Sequence, residues 1–295
     1  MRGGLVVAAA TAAALWAVHP SAQQPAPSSG AAQQTPGQGR GRGGGFFKQP
    51  DPIDFQEHEG WTSLFDGQTL KGWSGDQHWR VEDGAIAIES TCEKPTGTIY
   101  LVWQGGEASD FELKLEMKGT GNINGGVQYR GWIAPPPQRG GGGGGRGPQG
   151  PCPSGAARGT PPDPSSEAQW NMWGPQYDFD AANRFTGQFY EQSTGRGIVA
   201  WKGQAVRTEA GKNPRLVATL GEPSVIDTFY KPEDWNQLHI IAIGNQFTHI
   251  LNGRVISIFV DEDASRQVRK SGIIGLEVEA TGKLFARNIW LKKLG

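Results

Sequence analysis

Asp178 and Asp180 are two carboxylate residues whose spacing suggests acid–base chemistry. They lie two positions apart in an alternating segment, so both carboxylates project from one face of a strand, while Tyr177 and Phe179 point to the other face. Neighbouring carboxylates raise each other's proton affinity, which suits a pair that donates and accepts protons. The alternative interpretations are a solvated strand face and a calcium site built from the same oxygens.

A second polar strand precedes this pair in the sequence. Gln128 and Arg130 share one of its faces, and the Asn-Gly-Gly segment at 124–126 leads into it. We expect Arg130 to pair with Asp178 or Asp180, or to stabilise an anionic oxygen. A purely structural ion pair is the other interpretation of this arginine.

Aromatic and charged side chains are frequent in the same part of the chain. Tyrosine and tryptophan combine an apolar ring with a polar group, which suits stacking on sugar rings, and core packing is the competing interpretation. Isolated charged residues are candidates for a proton donor or for the rim of a site, although most such residues are only solvated. The candidates for catalysis are Asp178, Asp180 and Arg130, and those for substrate binding are Asn124, Gln128, Trp132, Tyr177, Tyr190, Glu191, Trp201 and Lys202.

Alternation of apolar and polar residues dominates the sequence around these motifs. Residues 111–118 alternate without a break, which indicates a strand with one buried and one wet face. Asp83-Gly84 and Asn252-Gly253 are hairpin signals, because these residue types tolerate positive φ. Many short strands with regular turns, and no long stretch with a helical period, predict an all-β antiparallel sandwich of two sheets.

Low-complexity segments surround and interrupt the predicted domain. Residues 1–22 contain an apolar run from Leu5 to Val18, typical of a secretory signal peptide and shorter than the about 20 residues that span a bilayer. An uncleaved N-terminal anchor is the alternative. Residues 23–59 are predicted to form a disordered linker and residues 60–295 one domain. A Gly- and Pro-rich insertion at about 134–166 is expected on its surface.

Composition narrows the classes of partner. The net charge is −1, so a nucleic-acid partner is not expected, and no membrane span remains after the signal is removed. The five histidines lack the close pairing of a metal site, so no metal or other cofactor is predicted beyond the calcium alternative. An exported protein, periplasmic or extracellular, permits a disulfide between Cys92 and Cys152, but the sequence does not settle that pairing. The oligomeric state also stays open.

Eight segments, taken in order, resemble a single family. They are Gly60 to Trp73, Trp79 to Gly84, Asp110 to Leu113, Asn124 to Arg130, Trp235-Asn236, Leu251 to Gly253, Gly272 to Leu276 and Phe285 to Ile289. Together they are similar to the 3-keto-disaccharide hydrolases over nearly all of residues 60–295.

This resemblance implies a concanavalin A-like jelly roll and a secreted or periplasmic enzyme. The implied substrates are glycosides already oxidised to a ketone at C3 of the sugar. The family's usual Tyr-Glu-x-Gln strand is replaced by Tyr177-Asp178-Phe179-Asp180. The carboxylate at position 178 is therefore shorter than usual, and position 180 is charged.

A ketone at C3 acidifies the hydrogen on C2, which suggests a hypothesis for the mechanism. A base removes that hydrogen, the oxygen on C1 leaves with help from a general acid, and water adds afterwards. A non-catalytic sugar-binding module of the same fold is the alternative function. An ordinary retaining glucanase is disfavoured, because it needs two Glu about 5 Å apart and the segment 177–180 contains none.

Overall fold

The computed structural model describes residue 51 and residues 53–75, 77–134 and 169–295. From residue 53 onward these belong to one compact unit, residues 52–295. The predicted signal peptide, most of the predicted linker and nearly all of the predicted insertion lie outside the described residues. Within the described ranges, no helix is long and apolar enough to cross a membrane.

Strands make up almost all of the regular structure. In chain order the elements are β1 (Thr62–Ser63), β2 (Trp73–Gly75), β3 (Arg80–Glu82), β4 (Ala85–Ser90), β5 (Ile99–Trp103), β6 (Phe111–Gly121), β7 (Asn124–Ile133), β8 (Met172–Asp180), β9 (Phe189–Gln192), β10 (Gly197–Ala200), β11 (Gln204–Glu209), β12 (Arg215–Thr219), α1 (Pro223–Asp227), β13 (Asn236–Ile243), β14 (Gln246–Leu251), β15 (Arg254–Glu262), β16 (Ile273–Glu279) and β17 (Gly282–Lys293).

The strands form two sheets. Sheet A has the order β12-β11-β15-β14-β13-β6-β17-β4-β3, with β1 paired to β17, and sheet B has the order β10-β9-β8-β7-β16-β5-β2. Among the described strands, every pairing is antiparallel except that of β11 with β15, which is parallel. The predicted all-β, antiparallel two-sheet jelly roll is confirmed.

The predicted hairpin dipeptides form the turns that their residue types favour. Asp83 and Gly84, between β3 and β4, have φ values of 51° and 74°. Asn252 and Gly253, between β14 and β15, have φ values of 49° and 75°. Positive φ at both positions is the requirement of a type I′ turn, whose twist matches that of the flanking strands.

The core lies between the two sheets and is rich in aromatic rings. Tyr129 and Phe189 of sheet B face Phe247 and Phe259 of sheet A, and the centroids of the Phe189 and Phe259 rings lie 4.5 Å apart. All four side chains are buried. Each contributes roughly 1.5–3 kcal/mol through loss of water contact. The core thus fixes which face of β7, β8 and β9 turns away from sheet A.

His249 forms a polar contact inside this apolar core. Its Nε2 atom lies 2.7 Å from the Tyr129 hydroxyl, and its Nδ1 atom lies 3.1 Å from the carbonyl oxygen of Gly187. A carbonyl can only accept, so Nδ1 carries the proton and Nε2 accepts from Tyr129. Burial lowers the pKa of His249 to about 3. This histidine is therefore neutral and joins the two sheets.

Sheet B is concave on the face turned away from sheet A. The Gln192 side chain on β9 donates to the Tyr100 hydroxyl on β5 at 3.1 Å. Four strand spacings separate these strands, which corresponds to about 19 Å in a flat sheet. The two side chains cannot span that distance, so the sheet must curve inward between them.

Residues 53–59, at the end of the predicted linker, pack against sheet A. The Lys114 ammonium donates to the carbonyl oxygens of Asp54, Phe55 and Glu57 at 3.3, 3.5 and 3.0 Å. The His58 ring stacks on Trp290 with 3.8 Å between centroids. Ordered contacts therefore begin before the Trp61 segment that marks the predicted start of the domain.

Candidate functional site

The concave face of sheet B gathers polar side chains from several strands. In the register of the sheet, Gly126 on β7 lies opposite Asp178 on β8 and opposite Glu277 on β16. Val127 and Tyr177 occupy the intervening positions and are buried in the core. Because side chains alternate along a strand, Asp178 and Glu277 project together onto the concave face.

Gln176 connects these two carboxyl groups. Its Nε2 atom lies 2.8 Å from Oδ1 of Asp178 and 3.2 Å from Oε2 of Glu277. The two carboxyl oxygens are therefore no more than about 6 Å apart. Gln128 Nε2 donates to Gln176 Oε1 at 3.1 Å, which turns the amide nitrogen of Gln176 toward the carboxyls.

Gly126 creates the space in which Gln176 makes these bonds. A Cβ atom at position 126 would lie 2.9 Å from Cγ and 3.0 Å from Nε2 of Gln176, and 2.3 Å from the carbonyl oxygen of Tyr177. Such contacts are too short for any other residue type. The glycine therefore allows the amide of Gln176 to lie over β7, between the two carboxyls.

Asp178 has a second amide donor. Gln188 Nε2 lies 2.5 Å from Oδ2 of Asp178, so both oxygens of this carboxyl accept a hydrogen bond. Glu277 differs, because among the described residues only its Oε2 atom has a donor. Within the described residues, Glu277 Oε1, Gln128 Oε1 and Gln188 Oε1 are buried and have no hydrogen-bond partner.

Burial governs the electrostatics of the pair. Desolvation raises the pKa of Asp178 well above its ordinary value, against the opposing effect of the hydrogen bond from Gln188. Desolvation also raises the pKa of Glu277 well above its ordinary value, and the nearby charges of Glu279 and Asp178 raise it further. Two carboxyls this close in a dry environment titrate as a coupled pair, because the ionisation of one makes the ionisation of the other less favourable.

Two tyrosines complete the polar part of this face. Tyr190 on β9 is opposite Gln176 in the register. Burial raises the pKa of Tyr190 to about 12, with contributions from the charges of Asp178 and Glu277. Burial likewise raises the pKa of Tyr100 well above its ordinary value. Both phenols are therefore protonated at neutral pH and can donate hydrogen bonds.

Asp180 shares the face of Asp178, but both of its carboxylate oxygens accept hydrogen bonds from Arg184. Its Oδ2 atom accepts from the backbone nitrogen of Arg184 at 2.7 Å and from Arg184 Nε at 2.9 Å, and its Oδ1 atom accepts from Arg184 Nη2 at 3.0 Å. Asn124 is opposite Asp180 in the register and is buried at the same end of the face. The structure thus brings Asn124, Gln128, Asp178 and Tyr190 onto one face, while the carboxylate of Asp180, at the end of β8, is bonded to Arg184 in the turn that follows.

Arg130 does not pair with Asp178 or Asp180, and that expectation was wrong. The residue has φ of +47°, within an irregular stretch of β7 where the register shifts between Gln128 and Trp132. This bulge breaks the alternation on which the expectation rested. The guanidinium instead bonds the carbonyl oxygens of Ser109 and Gly244, each at 2.7 Å, and Asp110 at 2.9 Å.

A cavity of about 380 Å³ lies beside these partners of Arg130. Its lining residues include Asp110, Gly244, Phe247 and Asp261. Neither Asp178 nor Glu277 lines it. The cavity is therefore separate from the carboxyl pair.

Two further substrate-binding candidates face away from the concave surface. Tyr177 is fully buried in the core, where its ring lies 4.5 Å from that of His249. Glu191 accepts from Arg196 at 3.1 Å, and Arg196 also bonds Asp261 of sheet A at 3.0 Å. This ion network ties β9 to the other sheet, and alternation places Glu191 on the opposite face from Tyr190.

The remaining candidates lie away from the carboxyl pair. Trp132, at the far end of β7, lies under the guanidinium of Arg269 at 4.3 Å. Trp201 is 46% exposed. Lys202 pairs with Asp227 at the end of α1, at 2.5 Å. None of the hydrogen bonds, ion pairs or ring contacts of these three side chains involves Asp178.

The sequence motifs do not single out three residues of this face, which are Gln176, Gln188 and Glu277. Glu277 lies in the alternating run Leu276-Glu277-Val278-Glu279, which indicates a strand with two carboxylates on one face. The sequence contains this signal, but it does not indicate that this strand, β16, pairs with β7. Among the described residues, no group of three or more His, Cys, Asp or Glu is arranged to hold a metal ion.

Comparison with known proteins identifies the family. A model described as the 3-keto-alpha-glucoside-1,2-lyase-like domain matches residues 60–292. No curated protein matches the chain.

Several solved structures are similar to it. The carbohydrate binding module CBM66 from Bacillus subtilis has 15% identity and a TM-score of 0.43, with 77% of this chain and 97% of that chain covered. A Bacillus subtilis protein with a galectin-like fold has 13% identity and a TM-score of 0.45, covering 76% and 90%. A laminarinase from Flavobacterium sp. has 10% identity and a TM-score of 0.44, covering 79% and 98%. Because the family model matches residues 60–292, the chain belongs to the 3-keto-alpha-glucoside-1,2-lyase-like domain family. This is the family of 3-keto-disaccharide hydrolases that the sequence motifs predicted.

Proposed function

We propose that this protein cleaves the glycosidic bond of 3-keto-glycosides on the concave face of sheet B. The observation that carries the proposal is the pair of buried carboxyls, Asp178 and Glu277, which share the amide of Gln176. Family membership supports the substrate class. The bond to be broken lies next to a carbon whose hydrogen is acidified by the ketone, and such chemistry calls for a buried base rather than a strong nucleophile.

Asp178 is the proposed base. Both of its oxygens accept amide hydrogen bonds, which hold the carboxylate in one orientation while each oxygen keeps a further lone pair. Desolvation raises its proton affinity, and a carboxylate with raised affinity is a better acceptor for a proton bound to carbon.

The unpartnered oxygens on this face suit a ligand rich in hydroxyl groups. Gln128 Oε1 and Gln188 Oε1 are buried acceptors without a donor in the described part of the chain. A buried acceptor that lacks a donor costs about 1–3 kcal/mol. Sugar hydroxyls would supply those donors, so binding would recover part of this cost. Tyr190, as a neutral phenol beside the pair, is the proposed donor to the enolate oxygen at C3.

The same unpartnered acceptors also fit a non-catalytic sugar-binding module, which is the second candidate. A simple binding site does not require two carboxyls whose burial raises both pKa values. Cleavage therefore accounts for more of the observed arrangement than binding alone.

The test is to incubate the purified protein with an α-linked glucose disaccharide and with its 3-keto derivative, and to quantify the released sugars by chromatography. Cleavage of the keto form alone supports the proposal, and loss of that activity in Asp178→Asn supports the assigned base. Binding of either sugar without cleavage would favour the binding module. Cleavage of the unmodified disaccharide would point to ordinary glycoside hydrolysis.

The proposed reaction uses only side chains of this chain, so we expect activity to survive treatment with a chelator.

The location of the protein is a separate proposal. We propose that the protein is exported, to the periplasm or the cell exterior. Cys92 takes part in a disulfide, and disulfides persist in oxidising compartments. Cys152 lies outside the described residues. Fractionation of the producing cells tests this location.

A further inference from the structure

Asp178 and Glu277 differ in the number of amide groups that they receive. Asp178 accepts from Gln176 through Oδ1 and from Gln188 through Oδ2. Of the residues that the structure describes, only Gln176 donates to Glu277, at the longer distance of 3.2 Å and to Oε2. Its Oε1 atom is buried and has no partner among the described residues.

This asymmetry decides where a shared proton resides. A hydrogen bond donated to a carboxylate favours its charged form. Asp178 receives two such bonds and Glu277 shares one of them, so the charge concentrates on Asp178. The proton is left to Glu277, and Oε1 is the atom that can carry it without losing an existing bond.

We propose that Glu277 is the general acid of the reaction, donating its proton from Oε1 to the departing glycosidic oxygen, while Asp178 is the base. This assignment rests on the proposed function. Gln176 is a positioning residue, because it holds one oxygen of each carboxyl and so separates their two roles.

The step balances without a further reactant. The Asp178 carboxylate takes the proton from C2, and the electron pair of that C–H bond forms an enolate with the C3 carbonyl. The enolate then expels the oxygen on C1, whose bond to C1 breaks with its electron pair. That oxygen takes the proton of Glu277 and departs as an alcohol. The products are an unsaturated 3-keto sugar and the free alcohol, with Asp178 protonated and Glu277 ionised.

The test compares two 3-keto-glucosides that differ only in the leaving group. One carries a second sugar, whose alkoxide is a poor leaving group, and the other carries a nitrophenol, which leaves without a proton. We expect Glu277→Gln to reduce kcat/KM by about 10²–10⁴-fold with the sugar leaving group, and by less than about tenfold with nitrophenol. Asp178→Asn should impair both substrates to a similar degree, since each still requires removal of the C2 proton.

A second readout separates a catalytic role from a structural one. In heavy water, Glu277→Gln should still exchange the C2 hydrogen of the disaccharide substrate for deuterium, because its base is intact. Asp178→Asn should not exchange it. Mass spectrometry of the uncleaved substrate gives this result and shows at the same time that the Glu277→Gln protein retains a folded site.

The outcomes distinguish this inference from the function on which it rests. If the wild-type protein cleaves neither 3-keto substrate, the proposed function fails and the assignment fails with it. If the wild-type protein cleaves both but Glu277→Gln is unimpaired, or loses both activities equally and no longer exchanges deuterium, the proposed function stands and Glu277 is not the acid.

Discussion

Asp178 and Glu277 lie on separate strands, on either side of Gly126, and one side-chain amide bonds both of them. Neither carboxyl is paired with a cation from the part of the chain that the structure describes, and burial raises both pKa values. The arrangement keeps proton affinity high at the cost of folding stability, which is a common compromise at functional sites.

The first prediction concerns the stability of Glu277→Gln. The folded-state pKa of Glu277 lies above its unfolded value, so the folded state binds more protons and the free energy of unfolding falls as pH rises from about 4 through the folded pKa. An uncharged amide removes this loss, and its nitrogen fits the place of the unpartnered Oε1. The melting temperature of the variant should exceed that of the wild type at pH 8, by about 2–4 °C per kcal/mol gained.

Calorimetry at several pH values checks this prediction. The gain should shrink as pH is lowered toward 4, where the wild-type carboxyl is protonated. Glu89→Gln is the control, because Glu89 is an exposed residue of sheet A that lies 3.7 Å from Lys283, so its substitution removes a carboxylate outside the buried pair. A gain at pH 8 that persists unchanged at pH 4 would contradict the explanation.

The second prediction concerns Gly126. In Gly126→Ala the new methyl group would meet the carbonyl oxygen of Tyr177 and the amide of Gln176. Overpacking of this kind costs about 1–3 kcal/mol, and displacement of Gln176 should lower kcat beyond the loss of folded protein. Gly272→Ala is the matched control, because its methyl group would clash with the backbone of Arg130 instead. It should lose stability but keep its activity per folded molecule, which denaturation curves and kinetics together would establish.

The third prediction concerns Arg130. Arg130→Met would leave the carbonyls of Ser109 and Gly244 without their donor and Asp110 without its counter-ion. We expect the free energy of unfolding to fall by about 1–3 kcal/mol, because two carbonyl oxygens lose a buried donor, while the loss of the ion pair adds little since the Asp110 side chain is 38% exposed. The surviving folded protein should keep the wild-type preference between the two leaving groups. A change in that preference, measured at a temperature where the variant is folded, would show that Arg130 takes part in the reaction.

The fourth prediction concerns His249. Its folded pKa of about 3 lies below the unfolded value of 6.5, so its stabilising effect is present above pH 6.5 and is lost as pH falls toward 3. Relative to His249→Gln, the wild-type free energy of unfolding should decline by up to about 1.4 kcal/mol per pH unit in that range. Urea denaturation of both proteins at pH 7, 5 and 4 measures the difference. A constant difference would show that the imidazole titrates normally.

Alternation within single strands made part of this site predictable. It placed Asp178 and Asp180 on one face of their strand and Tyr177 on the other, as the structure shows. It failed at Arg130, where one residue with positive φ reverses the pattern. It also did not predict that Arg184, in the turn after β8, donates a hydrogen bond to Asp180. Such local departures depend on loop geometry that alternation does not encode.

The proximity of Glu277 to Asp178 could not be predicted from the sequence, for a different reason. Glu277 approaches it only because β16 pairs with β7, and strand order depends on packing across the whole sandwich. The family motifs predicted the fold class and the strands that bear polar residues. They did not indicate that Gln176 would join the two carboxyls, since an amide in a strand carries no particular signal.

The contacts of Lys114 have a practical consequence for the limits of the domain. The family match begins at residue 60, whereas three of the oxygen atoms that bind the Lys114 ammonium belong to residues 54, 55 and 57. A chain trimmed to the match would uncover Lys114, a residue that is now 2% exposed and whose ammonium lies 4.2 Å from the centre of the Trp61 ring. The shortest piece that folds well should therefore start near residue 53, ahead of the point where homology becomes recognisable.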